Sequence, residues 1–96
     1  MADRTEETAH RIKELRAYLQ TSHGRRQQTN IESLISLYES GELQPPQKGD
    51  PDLFFVDGQR VTQDPIEDPS VPPGSMIWIE VYCPFSIIPL GPLKLI

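Results

Sequence analysis

Leu53-Phe54-Phe55-Val56-Asp57-Gly58-Gln59-Arg60-Val61-Thr62 is the stretch on which the fold turns. Four apolar residues make a short strand. Asp57-Gly58 has the composition of a two-residue turn in which both residues take positive φ, and Gln59 to Thr62 make the return strand. After this hairpin, Pro65, Pro69, Pro72 and Pro73 fall among Asp64, Glu67 and Asp68 and exclude any helix of length, so the chain crosses the surface there. Met76 to Cys83 then alternates as a final strand. Ile77, Ile79, Val81 and Cys83 form one side, expected to face the core. Met76, Trp78, Glu80 and Tyr82 form the other, which has three possible settings: beneath a helix, in cross-strand pairs, or as an exposed contact surface.

Towards the N-terminus, Pro45, Pro46, Gly49 and Pro51 prevent regular structure over residues 44–52. Before them Thr29 and Glu32 have the spacing of a capping box. Ile31, Leu34, Ile35 and Tyr38 follow at helical intervals, and Gly41 ends the segment. Ser33, Ser36, Glu39 and Ser40 suit water, and Leu43 is expected to fold back over the helix end. An earlier helix begins near Asp3 and Glu6, aligns Ala9, Ile12, Leu15 and Leu19, and is expected to stop at Gly24. The fold class is therefore α+β: one small domain with two N-terminal helices, a β-hairpin and a long final strand. Its expected parts are an N-terminal helical segment over 1–28, a compact α+β domain over 29–83 and an apolar, proline-rich tail over 84–96.

Read in order, the helix with Ile31, Leu34 and Tyr38, the pair Pro45-Pro46, the run FFVDGQRV at Phe54 to Val61 and the strand IWIEVY at Ile77 to Tyr82 resemble a ubiquitin-like β-grasp protein of the SUMO branch. The resemblance covers residues 30–82. It implies a non-catalytic protein-binding role. Such proteins begin with a β-hairpin, whereas residues 4–21 here read as helix. Conjugated members end in Gly-Gly beyond the last strand, and this chain continues through Cys83-Pro84 with only Gly91. Covalent conjugation is therefore not expected.

Charge and composition narrow the chemistry. The 96 residues carry 9 Lys/Arg against 14 Asp/Glu, a formal charge of −5, which is the wrong sign for a broad phosphate-binding field. The local exception is His23, Arg25 and Arg26, the candidate contacts in a third-ranked nucleic-acid reading. A single cysteine excludes an internal disulfide and a paired-cysteine zinc site. The glycines are scattered, with no phosphate cradle. His10 and His23 have no serine, cysteine or carboxylate partners at catalytic spacing. The carboxylate groups of residues 50–57 and 64–68 do not match a calcium loop. Neither catalysis nor a cofactor is expected. The N-terminus has no apolar secretory region, and no run is long enough to span a membrane, so a cytoplasmic or otherwise intracellular location is expected.

What remains is binding. Ten prolines all lie between Pro45 and Pro92, and three of them interrupt the apolar tail, excluding a helix there. The tail either wraps over the domain and completes its core or docks as an extended segment on another protein. Trp78, Tyr82, Phe85, Ile87, Ile88 and Leu90 are the candidate partner contacts. The partner is another protein, or a second copy through the first helix or the tail. The leading functional expectation is a non-catalytic interaction module, followed by a small regulator such as an antitoxin, inhibitor or viral accessory protein that acts by binding a target.

Overall fold

The computed structural model describes residues 5–65, 67–82 and 92–94, without the side chains of Thr5 and of residues 92–94. In chain order the elements are α1 (Thr5–Tyr18), α2 (Ser22–Arg26), α3 (Gln28–Ser40), β1 (Leu53–Val56), β2 (Gln59–Val61), β3 (Met76–Glu80) and β4 (Pro92–Lys94). The α+β class stands, with a third helix among the described residues. Among the described residues a helix, not a hairpin, comes first.

Three helical boundaries depart from expectation. The first helix ends at Tyr18, short of Gly24, and the segment with His23, Arg25 and Arg26 is a separate short helix. Thr21 makes that corner. Its hydroxyl donates to the Tyr18 carbonyl at 2.7 Å and accepts from the Gly24 amide at 2.9 Å, so one side chain links the end of α1 to the start of α2. Gly24 is not a stop signal. A Cβ there would lie 1.8 Å from the Tyr18 carbonyl oxygen, so only glycine permits this approach of α2 to α1. The third helix starts before Thr29, with Gln27 at its N-cap and no side-chain capping bond. Its end follows the sequence: Gly41 has φ +83°, the left-handed cap that glycine adopts without a Cβ penalty. Leu43 folds back, its amide bonding the Leu37 carbonyl at 3.2 Å.

The hairpin forms as read, with Asp57 at φ +49° and Gly58 at φ +86° and Val56 paired with Gln59. The sheet order is β2-β1-β3-β4, with every pair antiparallel. Of the tail, residues 92–94 pair with the edge of β3, Ile77 opposite Leu93. Phe85, Ile87, Ile88 and Leu90 lie outside the described residues.

The helices cover one face of the sheet, and the final strand turns the other way from the expected orientation. Phe55 and Trp78, both fully buried, pack with Leu15, Ile31, Leu34, Ile35, Tyr38 and Leu43 under the helices. Tyr18 meets the Trp78 ring edge-on, with centroids 5.3 Å apart. Ile77 instead joins Val56 in a smaller cluster on the opposite face, flanked by Phe54, Val61, Val71 and Ile79. The strand ends at Glu80, earlier than Cys83. Since α1 contributes Leu15 to the main cluster, the first helix and the α3–sheet layer share one core.

Candidate functional site

Glu80 explains why the β3 face is inverted. Its carboxylate is fully buried, an arrangement that persists only when charge and lone pairs are satisfied. Arg11, reaching down from α1, does both. Its Nε donates to Oε2 at 3.0 Å, and its Nη2 donates to Oε1, forming the two-pronged pair that a planar guanidinium makes with a carboxylate. Tyr38 adds a hydroxyl donor to Oε2 at 2.7 Å, and Trp78 Nε1 donates to Oε1 at 3.0 Å. Burial, followed by the adjacent Glu80 charge, pushes the Tyr38 hydroxyl well above the ordinary tyrosine range. Four donors converge on two oxygens in a place no substrate can reach. This network holds α1, α3 and β3 together; it does not open a reaction site.

Trp78 is thus a core residue and a hydrogen-bond donor, which corrects its expected role as a partner contact. Tyr82, beyond the end of β3, is 41% exposed. His23, Arg25 and Arg26 are exposed on α2. In the acidic loop, Asp68 bonds the Ser70 hydroxyl and amide and the Gln63 side chain, contacts that hold its carboxyl below the usual range. Among the described residues no three His, Cys, Asp or Glu side chains are grouped to hold a metal ion, and no helix is long and apolar enough to cross a membrane.

A second arrangement is open to solvent. Between α3 and β2 runs a groove of about 600 Å³, lined by Glu32, Ser33, Ser36, Leu37, Glu42, Gly58 and Arg60. Asn30 sets its width. From α3 its side-chain oxygen accepts the Gly58 amide at 2.6 Å, and its Nδ2 donates to the Met76 carbonyl at 3.3 Å and to Gln27 Oε1 at 2.6 Å. One buried amide thus fixes the hairpin turn and the start of β3 against the helix. A Cβ at Gly58 would meet Thr29 Cγ2 at 2.7 Å, so the turn sits as close to α3 as a glycine allows. Leu37 is the one large apolar side chain in its lining.

None of the groove residues was among the expected contacts. The local signals were present: Ser33 and Ser36 form a small polar flank on the helix, and Arg60 is a lone cation in the return strand. Their meeting depends on Asn30 bridging to a turn 28 residues away, which no spacing rule encodes. Compared with known proteins, the chain matches no family model, no curated sequence and no solved structure.

Proposed function

We propose that the protein is a non-catalytic interaction module, ubiquitin-like and not itself conjugated, that binds an extended segment of another protein along the outer edge of β2. The observation that carries this reading is the coincidence of a sheet edge with a groove. β2 is the end strand of the sheet, no described strand pairs with its outer side, and the groove against α3 runs beside it. An added strand gains main-chain hydrogen bonds from the edge and side-chain recognition from the groove. Asn30 and Gly58 hold the groove in shape before binding, which lowers the ordering cost of association.

Site-specific photo-cross-linking tests the reading. A photoreactive residue at Ser36, in the groove, is expected to trap a discrete protein adduct that the same probe at exposed Lys13 on α1 does not trap. Identical adducts from both positions would remove the groove from the binding surface.

A further inference from the structure

The groove carries charges that form no ion pair among the described residues, although Glu32 accepts a hydrogen bond from Gln28 at 3.1 Å. Arg60 lies directly opposite Phe55 in the hairpin, and Phe55 belongs to the helix-facing core, so Arg60 is on the helix side of the sheet and lines the groove with Glu32 and Glu42. Among the described residues neither Arg60 nor Glu42 forms an ion pair, whereas the exposed Arg16 does pair with Glu39, at 2.8 Å. Val56 and Gln59 flank the two-residue turn. They exchange both backbone hydrogen bonds, so Arg60, the next residue, directs its N–H and C=O outward. A strand added there bonds to Arg60 itself, and the partner residue opposite places its Cβ within roughly 4.5–5.5 Å on the groove side.

The groove also has a direction. Gly58 lies against Thr29 and Ser33 near the start of α3, and Glu42 follows the end of α3, so the groove runs from Gly58 towards Glu42 in the same sense as β2. A segment antiparallel to β2 passes Glu42 before it reaches Arg60. We infer that the groove takes an extended partner segment antiparallel to β2, with a carboxylate side chain opposite Arg60 and a lysine or arginine two positions before it, facing Glu42. The alternation of side chains along a strand puts both on the same face. A second copy of this chain does not fit: β2 paired with itself about Arg60 sets guanidinium against guanidinium, and directly opposed like charges destabilise a pair.

This inference rests on the β2-edge reading, and the test separates the two. The probes are two capped synthetic peptides, Thr-Val-Lys-Val-Glu-Val-Thr and the same peptide with lysine and glutamate exchanged, titrated into the ¹⁵N-labelled full chain. The first is expected to shift the amides of residues 59–62 and 32–37 and to bind roughly tenfold more tightly than the second. Arg60→Glu, a change at an exposed residue, is expected to abolish that preference while leaving amide shifts distant from the groove unchanged. Equal binding of both peptides in the groove would overturn the charge assignment and leave the edge reading standing. No shift in β2 with either peptide would overturn both. A concentration-dependent dimer with protected amides at residues 59–61 would overturn the exclusion of a second copy.

Discussion

Burying Glu80 costs several kcal/mol in desolvation, and its four donors offset that cost only as a set. Glu80→Gln leaves the buried Arg11 charge with only Glu14, at 3.8 Å, as counter-charge and sets amide hydrogens against two of the four donors, an Arg11 N–H and either the Tyr38 hydroxyl or the Trp78 indole. Urea denaturation of this variant is expected to show a loss of about 3–5 kcal/mol, a large part of the ~5–15 kcal/mol typical of a domain. A loss below ~1 kcal/mol would mean that water reaches the pair. Exchanging both charges for apolar groups, Arg11→Met with Glu80→Leu, is expected to cost less than the sum of the two single changes. Tyr38 adds a pH dependence of known sign. Its folded hydroxyl keeps the proton above the ordinary value of 10.0, while the unfolded chain releases it there. Stability from this group is therefore complete below that value and falls as pH rises above it. In a spectrophotometric titration Tyr38 is expected to ionise only as the protein unfolds; ionisation of all three tyrosines in the folded state would contradict its burial.

At the scale of elements, what was legible in the sequence is what local chemistry specifies. Asp57-Gly58 announced its turn because few other pairs accept two positive φ values, and Gly41 announced the end of α3 for the same conformational reason. The break between α1 and α2 was not legible. Gly24 looks like a C-terminal glycine in sequence, and only the 1.8 Å approach to the Tyr18 carbonyl shows that it serves helix crossing. Nor did period-two alternation say which side of β3 lies under the helices. It separated Ile77 and Ile79 correctly from Trp78 and Glu80. The sign of the choice came from Arg11, 69 residues away. Gly24→Ala tests the corner: the added methyl forces α2 from α1 and is expected to cost about 1–3 kcal/mol, with amide shift changes concentrated between Tyr18 and Gln27. A neutral effect would show that the corner relaxes freely.

For the molecule as a whole, the boundary between residues 28 and 29 does not separate independent units, because Leu15 and Arg11 from the first helix are buried with α3 and β3. Removing residues 1–28 would leave Glu80 without Arg11 and open the layer over Trp78. The shortened chain is expected to lose its cooperative denaturation transition, read by circular dichroism in urea; a sharp transition in residues 29–96 would show that the sheet and α3 suffice. The groove is not legible in the sequence for a similar reason, since α3 and β2 meet only once Asn30 has drawn the turn to the helix.

The pairing of residues 92–94 with β3 also bears on aggregation. Met76-Ile77-Trp78-Ile79 is an apolar, β-prone run, and an uncovered edge of such a strand templates association with other chains. β4 occupies that edge and begins with Pro92, which has no amide hydrogen to offer an incoming strand. The new outer edge is therefore a poorer template than the one it hides. A chain cut by a protease before Pro92 would keep every described helix and the hairpin yet bare the β3 edge, turning a small α+β domain into a seed for insoluble assemblies.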